Sequence, residues 1–113
     1  MKFKKKNLNI FAIICARGGS KGIKNKNIKF FCGKPLITYS IEMALSIKEI
    51  NKVIVSTDSK KIASIAKKFN AEIPFLRPKN LATDTSPEWK TWQHLIQFLK
   101  KNEKKMPDII ISV

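Results

Sequence analysis

The sequence has few of the residues that mark metal, redox or membrane proteins. Among its 113 residues are two cysteines, Cys15 and Cys32, and one histidine, His94. Their separations match neither a CxxC pair nor a zinc-finger spacing, so the sequence predicts two buried, reduced thiols and no zinc site. No run reaches the roughly 18 apolar residues of a transmembrane helix. We therefore expect a cytoplasmic protein without a membrane partner.

Acidic residues are scarce as well. Eight Asp and Glu residues face 23 Lys and Arg residues, which gives a formal net charge of +15. Such a charge predicts affinity for anions, either nucleic acid or phosphorylated small molecules. Only Arg17 and Arg77 are arginines, however, and arginine is the usual reader of phosphate and guanine in nucleic-acid proteins. A basic nucleic-acid-binding module is therefore kept as an alternative and not as the expected function.

The composition, 43% hydrophobic and 27% charged, is that of one globular domain and excludes a disordered chain. Apolar periodicity predicts alternating strands and helices. The predicted strands are Leu8–Ala16, Lys52–Thr57, Glu72–Phe75 and Ile109–Val113, with a short extended piece at Ile28–Gly33. The predicted helices are Pro35–Ile47, a helix capped by Asp58 or Ser59 and reaching Phe69, and Pro87–Lys101. This alternation implies a parallel sheet with helical crossovers.

Parallel sheets of this kind bind ligands at the carboxyl ends of their strands. The segments that begin there are Arg17–Asn27, Ser56–Asp58 and Leu76–Ser86. The first has two adjacent glycines directly after a strand, and its cationic side chains include Lys21 and Lys26. Backbone N–H groups of such a loop can surround an anion. The pattern predicts a triphosphate site, and a basic connection without a ligand is the alternative.

Neither common phosphate-binding motif is present. The GxxxxGK[ST] loop is excluded because Gly33–Lys34 is followed by Pro35, and the glycines within Gly18–Gly22 do not have the GxGxxG spacing. The sequence therefore does not predict a P-loop ATPase or an ordinary NAD-dependent dehydrogenase.

The run Ile13–Asn27, with its unbroken ARGGSKG, resembles the nucleotide-binding signature of the acylneuraminate cytidylyltransferases, the CMP-sialic acid synthetase family. Further blocks match in order: Phe31–Leu36 (FCGKPL), Val55–Asp58 (VSTD), Leu76–Pro78 (LRP) and Leu81–Thr85 (LATDT). The resemblance implies an α/β fold, a Rossmann-like three-layer sandwich with a mostly parallel sheet, of the nucleotide-diphospho-sugar transferase type. It corresponds to the N-terminal half of the family. We therefore expect residues 1–113 to be the N-terminal nucleotide-binding part of a single cytidylyltransferase domain.

The activity that the resemblance implies is the joining of CTP to an acidic nine-carbon sugar, giving a CMP-sugar and pyrophosphate. It also implies a Mg²⁺ cofactor and a homodimer for the full-length protein. The family's metal ligands lie beyond the position of Val113, so no metal ligand is expected in this sequence. Another sugar nucleotidyltransferase, for example one acting on 3-deoxy-octulosonate, is the alternative within enzymes.

The resemblance also assigns roles to residues. It implies that Arg17 contacts the triphosphate and that Lys21 stabilises the transition state or the departing pyrophosphate, so these two are the candidate catalytic residues. Arg77 matches an arginine that reads cytosine, whose O2 and N3 accept hydrogen bonds, whereas N3 of uracil carries a proton. The other implied nucleotide contacts are Gly18, Gly19, Ser20, Lys26, Asn27 and Ser86. Glu88 stands where many members have serine, and its role is left open.

For three residues of the last predicted helix and for Asp58, the sequence favours a role in packing or capping over a role in ligand binding. The spacing of Trp89 and Trp92 with the leucines that follow predicts a core face, although a base-stacking pair is possible. His94 is predicted to lie on the surface. Asp58 is predicted to cap a helix or order a turn, with a metal ligand as the alternative.

Overall fold

The structure is a computed structural model that describes residues 8–18, 29–78, 88–102 and 104–113. The strands are β1 Ile10–Cys15, β2 Phe30–Phe31, β3 Lys34–Pro35, β4 Lys52–Ser56 and β5 Ile109–Ser112. The helices are α1 Leu36–Leu45, α2 Lys60–Lys68 and α3 Glu88–Lys101. The predicted alternation is confirmed, with each long element within about two residues of its predicted bounds.

In the part of the chain that the structure describes, the main sheet has three parallel strands in the order β4–β1–β5. The central strand β1 is apolar along its whole length, because both of its faces are covered by helices. The predicted strand at Glu72–Phe75 is wrong. Glu72 forms an isolated parallel bridge with Ile54, and the residues after it leave the sheet.

The alternation of β1 side chains separates two cores, one on each face of the sheet. Ala12 and Ile14 face α1 and α2, whereas Phe11 and Ile13 face α3. The first core includes Ile37, Ile41, Ala44, Ile62 and Ala66, and the second includes Ile54, Leu95 and Leu99. The result is a three-layer α/β/α arrangement, which confirms the predicted fold class.

The two short strands β2 and β3 form an antiparallel hairpin, which confirms the predicted extended piece and turn. Its turn residues Cys32 and Gly33 have φ values of 49° and 92°, as two-residue hairpin turns require. The thiol of Cys32 is exposed there, so the prediction that both cysteines are buried is wrong for this one.

The first two helices begin with different devices. Ser59 caps α2, because its side-chain oxygen accepts a hydrogen bond from the backbone N–H of Ile62 at 3.2 Å. Pro35 ends β3 and precedes α1, so it lies one position before the place predicted for it. No helix in the described part of the chain is long and apolar enough to cross a bilayer.

Two predicted core residues lie outside the core. Leu45 is exposed at the end of α1, and the Trp89 side chain in the first turn of α3 is 51% exposed. The face of α3 that packs on the sheet keeps the predicted Leu95 and Leu99, with Trp92 packed against that core, and it also includes Thr91. The threonine hydroxyl therefore lies in the interior, where it has a hydrogen-bonding partner described below.

Candidate functional site

Polar side chains converge at the carboxyl ends of the three parallel strands, the edge at which this class of sheet binds ligands. Arg17 and Gly18 follow β1, Asp58 follows β4, and Glu88 begins α3 beside the end of β5. Arg77 comes in from the segment after the Glu72 bridge. We call these five residues, with Cys15 and Thr91, the carboxyl-edge network.

The chain after β1 is held by a carboxylate from β4. The backbone N–H of Gly18 donates to Oδ1 of Asp58, with 2.8 Å between nitrogen and oxygen. A Cβ atom at position 18 would lie 3.0 Å from Cβ of Ser59, a tight contact, so this close approach favours glycine. Asp58 therefore holds Gly18 in the first part of the ARGGSKG motif, and the helix cap is its neighbour Ser59.

Arg77 is buried, with 6% of its surface exposed, and it ties β4 to α3. Its backbone N–H donates to the carbonyl of Thr57 at 2.7 Å. In its guanidinium group, Nη2 donates to the carbonyl of Ser56 at 3.0 Å and Nη1 donates to Oγ1 of Thr91 at 3.2 Å. Burial lowers the pKa of Arg77, and the nearby Asp58 carboxylate opposes that shift. The arginine stays charged, because its ordinary pKa is far above neutral pH.

Glu88 turns towards the ends of β1 and β5. Its carboxylate accepts a hydrogen bond from the hydroxyl of Ser112 and lies close enough to the thiol of Cys15 to affect its pKa. A carboxylate in the first turn of a helix also interacts favourably with the helix dipole. Burial raises the pKa of Cys15 to about 11, against the lowering effect of Arg77, and Glu88 adds to the rise.

His94 lies near enough to the same arginine to sense its charge. Its ring is half-buried and meets the ring of Phe75 edge-on, with 4.4 Å between centroids, so the prediction of a surface position is wrong. Burial lowers the pKa of His94, and the positive charge of Arg77 lowers it further. The ring is therefore uncharged at neutral pH, which avoids a second positive charge near Arg77.

The structure brings together three of the predicted nucleotide-site residues: Arg17, Gly18 and Arg77. The others, Gly19, Ser20, Lys21, Lys26, Asn27 and Ser86, lie outside the described residues. Sequence reasoning missed Thr91, which contacts Arg77 directly. Helical spacing could have identified Thr91, because it lies four residues before Leu95 and therefore on the same buried face of the amphipathic helix.

The described residues do not fit a magnesium site. No three His, Cys, Asp or Glu side chains come together within them. The two carboxylates of the carboxyl-edge network are separately engaged, Asp58 by Gly18 and Glu88 by Ser112. We therefore derive no catalytic step through a metal ion.

Comparison with known proteins shows the family. The profile described as Cytidylyltransferase matches residues 11–103. The chain is 45% identical over 92 residues to pseudaminic acid cytidylyltransferase of Campylobacter jejuni, which covers 81% of this chain and 40% of that protein. It is 47% identical over 79 residues to CMP-N,N'-diacetyllegionaminic acid synthase of Legionella pneumophila, covering 70% and 34%. It is 45% identical over 89 residues to N-acylneuraminate cytidylyltransferase of Escherichia coli, covering 79% and 21%.

A solved structure has the same fold. It is CMP:2-keto-3-deoxy-manno-octonic acid synthetase complexed with CTP, which superposes with a TM-score of 0.72 over 93% of this chain at 23% identity. The match covers 39% of that chain, and this chain spans 40% or less of each of the three relatives above. The ARGGSKG sequence motif and the three-layer fold agree with the profile match: the chain belongs to the cytidylyltransferase family.

Proposed function

We propose that this chain provides the CTP-binding part of an enzyme that transfers CMP from CTP to a nonulosonate sugar. The observation that carries the proposal is the convergence of Arg17, Gly18 and Arg77 at the carboxyl ends of β1 and β4. The three relatives are named for pseudaminic acid, diacetyllegionaminic acid and acylneuraminate, and these names support the choice of a nonulosonate substrate.

In the proposed reaction, the anomeric hydroxyl oxygen of the sugar attacks the α-phosphorus of CTP. A new oxygen–phosphorus bond forms, the bond to the bridging oxygen of the β-phosphate breaks, and pyrophosphate leaves with the electron pair while the hydroxyl proton is released. Negative charge accumulates on the α-phosphate and the leaving group, so positioning and cationic stabilisation supply most of the catalysis. We assign that stabilisation to Arg17 and Lys21.

The remaining loop residues are proposed to bind the nucleotide. Backbone N–H groups of Gly19 and Ser20 suit phosphate oxygens, because successive N–H groups and a nearby cation form an anion site. The N–H of Gly18 is held by Asp58, so the proposed contribution of Gly18 is to let the backbone approach the phosphates closely. The proposed contacts to ribose and phosphate come from Lys26, Asn27 and Ser86. The proposed reader of the base is Arg77, whose guanidinium can donate to both O2 and N3 of cytosine.

Three finer points stay predictions. A nonulosonate is preferred to 3-deoxy-octulosonate, because the ARGGSKG loop and the arginine at position 77 resemble the nonulosonate branch. Magnesium is expected to accompany CTP. A homodimer of the longer protein is expected, and light scattering after size-exclusion chromatography of that protein checks it.

The test is a calorimetric titration of the full chain with CTP, UTP and a random DNA duplex, at about 150 mM salt to suppress non-specific nucleic-acid binding. We expect CTP to bind, UTP to bind more weakly and DNA not to bind. Binding to DNA without binding to CTP would contradict the proposal and favour the basic nucleic-acid-binding module.

A further inference from the structure

Thr91 occupies an unusual position for a polar side chain. It is 1% exposed, on the face of α3 that otherwise buries Leu95 and Leu99 against the sheet. A buried hydroxyl costs free energy unless it is hydrogen-bonded, so such a group needs a partner. Oγ1 of Thr91 accepts from Nη1 of Arg77 at 3.2 Å. The threonine therefore holds the residue proposed to read the base.

The contacts of Arg77 constrain the orientation of its guanidinium plane. The backbone N–H bound to Thr57 fixes where the side chain starts, and Nη2 bound to the Ser56 carbonyl fixes one corner of the plane. Thr91 fixes the corner at Nη1, from a different element. The two anchored nitrogens, together with the attachment of the group at Nε, set the plane of the rigid guanidinium, and loss of the Thr91 contact removes the anchor at Nη1.

Orientation matters more for choosing between bases than for binding either one. Cytosine and uracil both present an acceptor at O2, and they differ at N3, which accepts in cytosine and donates in uracil. A guanidinium that turns out of position can still donate to O2 of either base. It loses the directed hydrogen bond to N3, the contact that separates the two.

We propose that Thr91 is a specificity-determining positioning residue, which fixes the Arg77 guanidinium so that the site prefers CTP to UTP. The inference rests on the proposed function, because it gives Arg77 the role of base reader. Thr91 acts through Arg77 and does not itself touch the nucleotide.

The test measures the ratio of the dissociation constants for UTP and CTP in matched variants of the full chain. Thr91→Val keeps the shape and removes the hydroxyl, whereas Thr91→Ser keeps the hydroxyl. Thr38→Val is the control, because Thr38 is fully buried on the opposite face of the sheet and donates to the Pro35 carbonyl. We expect Thr91→Val to lower the ratio about tenfold, which is the size of effect expected when the charge-assisted hydrogen bond from Arg77 to N3 of cytosine is lost. We expect Thr91→Ser and Thr38→Val to keep the wild-type ratio.

Two outcomes overturn the proposal. If Thr91→Val lowers the melting temperature as Thr38→Val does but keeps the ratio, Thr91 is a structural residue only. If Thr91→Ser loses the ratio as fully as the valine variant, the hydroxyl is not the group that matters.

A second measurement separates this inference from the proposed function. Arg77 and Arg17 are the two arginines of the chain, so their guanidinium nitrogen signals can be assigned in an NMR spectrum without nucleotide. We expect separate, slowly exchanging Nη signals for Arg77 in the wild type and in Thr91→Ser, and averaged signals in Thr91→Val. If the wild type binds no CTP, the proposed function and the specificity role both fail. The NMR signals then decide whether Thr91 positions Arg77: averaged wild-type signals would overturn that too.

Discussion

The two ends of the parallel sheet use the same device for different purposes. At the amino end, Oδ1 of Asn51 accepts from the backbone N–H of Ile10 at 2.7 Å, and Oδ2 of Asp108 accepts from that of Asn9 at 2.8 Å. Both side chains are exposed. At the carboxyl end, Asp58 does the same for Gly18, but it stands beside a buried arginine.

The two ends differ in the desolvation free energy that their polar groups require. At the amino end, exposed amide and carboxylate oxygens accept hydrogen bonds from backbone N–H groups, and no charged group has to be buried for this. Burying the guanidinium of Arg77 carries a desolvation penalty that the fold does not need for its backbone hydrogen bonds. Charged groups held in such surroundings mark functional sites. A cleft of about 490 Å³ lies near the amino end, beside Phe11 and Lys52, away from the carboxyl-edge network.

The largest expected effect is at Arg77. Replacing it in Arg77→Met keeps an apolar stem and removes the guanidinium, and we expect CTP affinity to fall about 30- to 100-fold, together with the preference over UTP. Calorimetry measures both, and a thermal melt checks folding. Arg77→Lys is the control and should fall between, because an ammonium group cannot make two directed contacts. A folded methionine variant with unchanged affinity and preference would remove Arg77 from the site.

The next effect is at Asp58. In Asp58→Ala the backbone N–H of Gly18 loses its partner, the start of the ARGGSKG loop is released, and we expect CTP affinity to fall about tenfold. Asp58→Asn keeps a carbonyl oxygen that can accept the same hydrogen bond, so it should stay within about threefold of the wild type. Equal losses in the two variants would show that the charge of Asp58, and not its hydrogen bond to Gly18, is what binding requires.

Matched changes at the amino end should affect folding and leave binding alone. We expect Asp108→Ala and Asn51→Ala each to lower the free energy of unfolding by about 1 kcal/mol, the usual value of one hydrogen bond, as measured by urea titration. CTP affinity should stay unchanged in both. A loss of affinity comparable to that of Asp58→Ala would mean that the two ends do not differ in function.

The smallest effect on nucleotide binding is expected from alkylation of the cysteines. Their reactivity instead measures how accessible and how acidic each thiol is. Cys32 is exposed in the hairpin turn and should react with iodoacetamide at pH 8, whereas Cys15 should not, since its pKa is raised to about 11. A raised pKa favours the protonated thiol in the folded state, so the stability it contributes is present below pH 9 and is lost between pH 9 and about 11.

Mass spectrometry of the alkylated chain reads both sites. Glu88→Gln removes a carboxylate that raises the Cys15 pKa, so the labelling of Cys15 should begin at a lower pH in that variant. Equal labelling of Cys15 and Cys32 at pH 8 would contradict the burial of Cys15 beside Glu88.

The layers of the fold could be predicted from the sequence, because β1 is a continuous apolar run, β4 has three consecutive apolar residues at its centre, and the helices carry one apolar stripe each. The strand predicted at Glu72–Phe75 failed because a strand needs a continuous hydrogen-bonding partner, and Ile54 provides one bridge. Local sequence contains no information about that partner.

The carboxyl edge could be located from the sequence, but its internal contacts could not. The burial of Thr91 depends on Arg77, fourteen residues away, and the half-burial of His94 depends on Phe75. Helical periodicity describes one helix at a time, so it placed Trp92 correctly against the core but also placed the exposed Trp89 there and missed Thr91. The roles of the loop residues, Lys21 among them, stay predictions.

The most direct test of a functional carboxyl end is an amide NMR titration of the full chain with CTP. We predict that the signals of Gly18 and Arg77 shift in proportion to CTP, while those of Asn51 and Asp108 at the amino end stay in place. Shifts that cluster at the amino end, or no shifts at all at millimolar CTP, would contradict the assignment of the nucleotide site.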